Sequence, residues 1–431
     1  MRWASGCLTA PALATTDNPG DHWQPWRPLA TLATTGASDI GVNYDRPMSR
    51  SSVRRVAIAG VALSDLGRVD NTTPYALMAQ ASRRALADAG LTVDQIDGFA
   101  STGLGTMAPV DVAEYMGIVP RWVDSTAVGG ASWEVMAAHA ADAIGAGNAD
   151  VILLAYGSTA RADLKKGLRT ANLDWGARGP MQWEAPYGHT LISKYAMAAR
   201  RHMHEYGTTI EQLAEIAVSA RFNAGPNPEA FVREPITIDD VLDGPMIADP
   251  FTKLQCCIRS DGAAAVILVA EDRLADLAIK PVWILGTGES TSHISMGQWA
   301  DFTTGPAAVA GKLAFERAGL TPADVDVCEL YDAFTYMLLV TLEDLGFCAK
   351  GEAGPFVEDG KLRVGGALPT NTDGGGLSAC HPGQRGLFLI VEATRQLRGQ
   401  AGERQVPGAK IACVSGTGGW FCSNATMLLG T

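Results

Sequence analysis

One stretch of this chain occurs twice, and that repeat limits the fold more than any other feature. Residues 85–97 and 314–326 share Ala89/Ala318, Gly90/Gly319, Leu91/Leu320, Thr92/Thr321 and Asp97/Asp326 at one offset without a gap. In the first copy a helix with apolar spacing at Leu77, Ala81 and Ala85 reaches a glycine suited to the left-handed position just past a helix end. A threonine then caps a short helix, with Pro322 at the first helical position of the second copy. Strands follow at 98–101 and 327–330. A second correspondence supports the first. Gly129-Gly130 opens a helical stretch, 131–145, and then an apolar strand, 149–156, ending at Gly157. Gly386 likewise opens 387–397, followed by 409–415 and Gly416. Two halves with the same order of helix, strand and glycine turn imply a pseudo-twofold α/β protein. The strands are continuous apolar runs rather than alternating ones, so the sheets are expected to be buried on both faces.

Composition narrows the function classes. The chain has 431 residues, enough for two or three domains around a large core. Its net charge of −12 and the absence of any run of five basic residues argue against nucleic-acid binding. Eight cysteines, none in a C-x-x-C pair and most in apolar runs, fit reduced buried thiols in a cytoplasmic protein better than disulfides or a zinc site. No stretch approaches a membrane span. A nicotinamide site is excluded because no Gly-x-Gly-x-x-Gly follows the strand at 56–59, and an α/β-hydrolase because no Gly-x-Ser-x-Gly occurs. Residues 1–47 carry Pro, Thr, Gly and three Trp without helical or strand period, and read as a disordered extension or a misplaced start. The rest divides into an N-terminal half, 48–290, with a loop domain at about 160–250, and a C-terminal half, 291–431.

From about residue 53 to the end, this pattern resembles the thiolase superfamily, closest to the sterol-carrier-protein-type thiolases and their bacterial lipid-transfer-protein relatives. The resemblance implies α/β/α/β/α layers. Thiolases place a nucleophilic Cys before a helix N-terminus, where the macrodipole lowers the thiol pKa. Counting back from Gly129 or Gly130 puts Thr126 or Ala127 there, and neither is a thiol. The second family Cys, in Cys-x-Gly-Gly, falls on Gly416 of Gly416-Thr417-Gly418-Gly419. Other blocks persist. Tyr331-Asp332-Ala333-Phe334 stands for the family's Asn/His-Glu/Asp-x-Phe block, with Tyr331 in a catalytic slot. His381-Pro382 at a glycine-dense turn stands for its Gly-His-Pro block.

The resemblance implies retro-aldol cleavage of a β-hydroxyacyl-CoA of the lipid or steroid side-chain type. Tyr331 or His381 would take the hydroxyl proton, and backbone N–H groups at Gly416, Gly418 and Gly419 would hold the thioester enolate. A Tyr of ordinary pKa, about 10, is a poor base at neutral pH, so it needs a neighbour that lowers it or a relay to His381. His189 and Asp332 are substrate-side candidates. No metal and no tightly bound cofactor is expected; coenzyme A enters as part of the substrate. The implied assembly is a homodimer, or a heterotetramer with a small OB-fold zinc-ribbon protein. Two rivals are an acetyl-CoA acetyltransferase-like enzyme using Thr126 or Cys380 as nucleophile, and a non-catalytic acyl-CoA or lipid carrier.

Overall fold

The helix stop that occurs twice in the sequence ends two helices in the same way. From Val56 the chain runs through β1 (Val56–Leu63), α1 (Pro74–Ala89), β2 (Gly98–Ala100), α2 (Val110–Met116), β3 (Trp122–Asp124), α3 (Ser132–Gly145), β4 (Val151–Ser158) and α4 (Ala160–Lys165). Helices α5 (Leu191–Tyr206), α6 (Ile210–Ala224) and α7 (Ile238–Leu242) and a hairpin, β5 (Met246–Ala248) with β6 (Phe251–Thr252), come before β7 (Gly262–Ala270). The second half repeats the plan with β8 (Val282–Thr291), α8 (Ala307–Ala318), β9 (Val327–Leu330), α9 (Thr335–Asp344), α10 (Ala353–Val357), α11 (Gly386–Arg398), β10 (Ile411–Gly418) and β11 (Ser423–Gly430). Gly90 and Gly319, at φ of 68° and 66°, close α1 and α8. Thr92 and Thr321 each form a capping box three residues wide, with Gln95 and Asp324. This computed structural model describes residues 54–105, 107–165, 179–188 and 190–431. The expectations for residues 1–47 and for His189 lie outside the described residues.

The strands form a nine-stranded mixed sheet in the order β3-β2-β4-β7-β1-β8-β11-β10-β9. Apart from the edge strand β3, the order reads alike from both ends. The halves meet where β1 pairs antiparallel with β8 over Ala57↔Trp283 and Ile58↔Val282. β1, β7 and β11 are buried at every position, as the apolar runs predict. Their directions are mixed: β2 lies parallel to β4, whereas β7 runs antiparallel to both β1 and β4. Helices α3 and α11 each touch strands of both halves, α1 covers β1, β4 and β7, and α8 covers β8 and β11. The layers are therefore helix, strands, two central helices, strands and helix, the expected pseudo-twofold α/β arrangement. The division drawn after residue 290 falls inside β8, the first strand of the second half; the symmetry places it between β7 and β8. Among the described residues no helix is long and apolar enough to cross a membrane.

Candidate active site

Strand β9 delivers Tyr331. Its buried run pairs in parallel with β10, and the pairing ends where the Tyr331 N–H donates to the Ser415 carbonyl at 3.0 Å. A phenol at the end of a packed strand is held more firmly than one on a loop. The Tyr331 hydroxyl lies 3.1 Å from Nε2 of His381 and accepts the Arg385 N–H at 3.1 Å. His381 comes from the turn before α11, where its own N–H donates to Ser260 Oγ at 2.9 Å. The two rings meet edge to face, 5.6 Å apart.

Burial decides the protonation of both groups. It drives the Tyr331 phenol well above its usual 10, so the hydroxyl keeps its proton at neutral pH. Burial, followed by the positive guanidinium of Arg385, pushes His381 down to about 4 and leaves a neutral imidazole. The Arg385 N–H pulls Tyr331 down, but burial outweighs it, which corrects that branch of the expectation. The other branch, an acceptor for a relay, is within hydrogen-bond distance.

The glycine-dense turn is fastened by charges. Gly375 has a φ of +66°, and a Cβ there would lie 2.0 Å from an oxygen of Asp332. Only glycine lets the backbone come so close. Asp332 accepts the N–H groups of Gly376 (2.7 Å) and Leu377 (3.3 Å), with Arg385 Nε at 3.7 Å. It is wholly buried, and desolvation pushes it up to about 7 against the pull of Arg385. Asp332 was expected on the substrate side; it is instead the anchor of this turn, because its oxygens are turned inward onto backbone. Arg385 also reaches both oxygens of Asp373 at 2.6 Å and the Cys380 carbonyl at 2.8 Å. Sequence reasoning missed both Arg385 and Asp373, although two opposite charges in a turn of glycines were a usable signal.

The opposite wall joins the two halves. A Cβ on Gly130 would lie 2.4 Å from both the Thr417 carbonyl and the Tyr331 ring. Backbone groups alternate sides along β10. The Ser415 carbonyl faces Tyr331, and the Gly418 carbonyl accepts from Cys422 in the hairpin. Gly416 and Gly418 therefore turn their N–H groups toward β11, and Thr417 turns its backbone toward Tyr331. The expected oxyanion donors are corrected accordingly: Gly416 and Gly418 belong to the ladder with β11, and Thr417 offers the N–H on the Tyr331 side. Gly419 sits in the following turn, its carbonyl accepting the Tyr195 hydroxyl at 2.6 Å.

Where a side chain of residue 416 would begin, the structure places the carboxyl of Glu134, 2.1 Å from the Cβ position. Glu134 belongs to the first turn of α3. It is fully buried, and neither oxygen has a hydrogen-bond partner among the described residues. Burial pushes it up to about 8, so it is mostly a neutral acid at pH 7. It too was missed, although it is an acid in the apolar start of a central helix.

Among the described residues the buried sulfurs do not compete for the role of nucleophile. Burial pushes Cys380, Cys256 and Cys257 up to about 12 and Cys422 up to about 11, which keeps all four as thiols. Cys413 is buried within β10. Thr126 donates its hydroxyl to Asp124 at 2.8 Å, and Ala127 is exposed. Burial raises Asp124, but hydrogen bonds from Thr126 and His139 outweigh it and hold the carboxyl below its usual range. That makes Asp124 a weak base for activating Thr126.

The family described as "Thiolase C-terminal domain-like" matches residues 288–431. An acetyl-CoA acetyltransferase of Methanothermobacter thermautotrophicus is 36% identical over 85% of this chain and 98% of its own. A steroid side-chain-cleaving aldolase of Thermomonospora curvata is 34% identical over 84% of this chain and 95% of its own. The solved structure described as "Ltp2-ChsH2(DUF35) aldolase" superposes with a TM-score of 0.80 at 32% identity, covering 88% of this chain and 98% of that one.

Proposed function

This chain belongs to the thiolase superfamily, and we propose that it cleaves a β-hydroxyacyl-CoA of the lipid or steroid side-chain type by a retro-aldol reaction. One observation carries the reading. By the sequence correspondence no sulfur stands at either cysteine position of a thiolase, and a Tyr331–His381 pair at 3.1 Å stands where burial keeps Cys380 and Cys422 protonated. A site without a thiolate cannot readily form an acyl-enzyme. A site with a neutral imidazole behind a phenol can move a proton.

In the proposed reaction the phenol of Tyr331 accepts the substrate's β-hydroxyl proton while passing its own to His381 Nε2. The Cα–Cβ bond breaks, a ketone or aldehyde leaves, and its electron pair becomes the thioester enolate. The Thr417 N–H stabilises the enolate oxygen; a single donor of this kind contributes about 2.7–4 kcal/mol. The acyl chain is supplied as its coenzyme A thioester. The relatedness to an aldolase whose structure carries the DUF35 label also supports a small OB-fold zinc-ribbon partner, in a heterotetramer built on a homodimer.

The test is a screen of β-hydroxyacyl-CoA thioesters, with the chain alone and co-expressed with candidate partners, for carbonyl product trapped as a hydrazone. The expected result is stoichiometric release of carbonyl and shortened acyl-CoA. A covalent acyl-enzyme seen by mass spectrometry would overturn the reading in favour of acyl transfer, the activity that the acetyltransferase relative represents. Binding of acyl-CoA without turnover would leave a carrier.

A further inference from the structure

Two glycines from separate segments clear the space around one carboxyl. A Cβ on Gly416 would lie 2.1 Å from Glu134 Oε2, and one on Gly386 would lie 2.5 Å from the same atom. Gly386 follows Arg385, whose N–H donates to the Tyr331 hydroxyl. The Gly386 Cβ position is also 2.5 Å from the carbonyl of Gly130, the residue that packs on the Tyr331 ring. Glu134 thus sits against the residues next in the chain to those that hold Tyr331: Gly386 follows Arg385, and Gly416 follows Ser415. Glu134 enters from the N-terminal half, whereas Tyr331 and His381 enter from the C-terminal half.

A buried acid with two unpartnered oxygens is costly to keep. Packing does not explain it, since a Leu or Met would fill the same space at the start of α3 without that cost. Nor does helix capping, since neither oxygen accepts the N–H of another residue of the helix. The reaction proposed above has one step for which no group has been named. After the carbonyl leaves, the enolate must gain a proton at Cα, and Tyr331 and His381 face the other end of the cleaved bond.

We propose that Glu134 is the general acid that protonates Cα, delivering from helix α3 a carboxyl into the space left by the missing side chain of residue 416. This deepens the retro-aldol reading and rests on it for the source of the enolate. The proton balance closes. The β-hydroxyl O–H breaks and its proton goes to the Tyr331–His381 pair. The Glu134 O–H breaks and a C–H bond forms at Cα. The carboxylate then recovers the proton held by the pair, so cleavage is redox-neutral and consumes no co-reactant. In the unliganded protein a pKa of about 8 keeps Glu134 in the donor form.

The experiment is exchange of the α-protons of butanoyl-CoA with deuterium oxide, followed by mass spectrometry, for the full chain and for Glu134→Gln. Exchange reports proton transfer at Cα without any carbon–carbon cleavage. The wild type is expected to exchange, and Glu134→Gln, an uncharged isostere, to lose on the order of 10²–10⁴-fold of the rate. An exchange rate in Glu134→Gln within threefold of wild type would overturn the proposal, as would a wild type that exchanges nothing. Should Glu134→Gln not fold, the wild-type pH profile decides. A rate that rises with pH and levels off above about pH 8, as the carboxylate that takes the α-proton forms, supports the role, and a flat profile through pH 6–9 overturns it. Carbonyl release with exchange independent of Glu134 would sink this proposal alone. Exchange that depends on Glu134, without carbonyl release from any β-hydroxyacyl-CoA, would sink the retro-aldol reading alone.

Discussion

The two central helices begin alike and differ in the charge they bury there. α3 follows Gly129-Gly130 and carries Glu134 in its first turn, sealed from water and without a partner. α11 follows Arg385, also sealed from water, but its guanidinium grips both oxygens of Asp373 and lies near Asp332. Further along α11, Glu392 is paired with Arg404 at 2.8 Å through each oxygen. Arg385 and Glu392 of the second half have ion-pair partners, and Glu134 of the first half is a carboxyl left waiting. A paired buried charge holds a turn in place. An unpaired one adds nothing to stability, which is why we assign it to chemistry.

The largest effect should come from breaking the satisfied side. In Asp373→Ala the Arg385 guanidinium would remain in the core with its main partner gone. Loss of one member of a buried pair costs about 3–5 kcal/mol. Asp373 also accepts the Gly375 N–H at 2.8 Å, so the turn that presents His381 would loosen as well. Urea unfolding should show that loss of stability. A change below about 1 kcal/mol would mean that the pair is not what holds this turn.

The next effect should come from crowding the waiting side. Gly416→Ala would place a methyl group 2.1 Å from Glu134 Oε2 and force the carboxyl or β10 to move. Overpacking of this kind costs about 1–3 kcal/mol. Activity should fall further than stability, because the moved group is the proposed proton donor. The check is chemical denaturation beside the exchange rate measured on folded protein at low temperature. Equal exchange in Gly416→Ala and wild type would show that the carboxyl's position is immaterial.

Much of this was legible in the sequence, and the reasons are local. Gly90 and Gly319 each stop a helix by a conformation that a few neighbouring residues determine, so their recurrence revealed two halves before any coordinate. The apolar runs of β1, β7 and β11 announced burial on both faces. Strand direction stayed hidden, since a buried antiparallel strand such as β7 has the same apolar signature as a parallel one. Tyr331 and His381 were found through their motifs, and their meeting across 50 residues could not be seen without the fold. Asp332 was misread because only the close approach of Gly375 turns it inward. Glu134 was passed over for a similar reason: Gly386 and Gly416 make its surroundings, and both lie more than 200 residues further along the chain.

The last effect is the most diagnostic for the comparison, because Asp373 and Glu134 should give pH dependences of opposite sign. Asp373 is held below the usual carboxylate range: burial raises it, but Arg385 outweighs burial. Its contribution to stability is present at neutral pH and is lost as pH falls through its folded pKa. Glu134 is raised from 4.5 to about 8, so the folded state keeps its proton when the unfolded chain has released it. Its contribution is fully present below about pH 4.5 and is lost as pH rises toward 8, at up to about 1.4 kcal/mol per pH unit. Glu134→Gln cannot titrate. Unfolding free energies measured at intervals from pH 5 to 9 should therefore show the wild type losing stability relative to Glu134→Gln up to about pH 8, with a constant gap beyond. Asp332, raised to about 7, titrates in both proteins and cancels in the difference. Parallel curves across the whole range would mean that Glu134 is ionised or solvated in the folded protein, and the contrast between the paired Asp373 and the waiting Glu134 would fail.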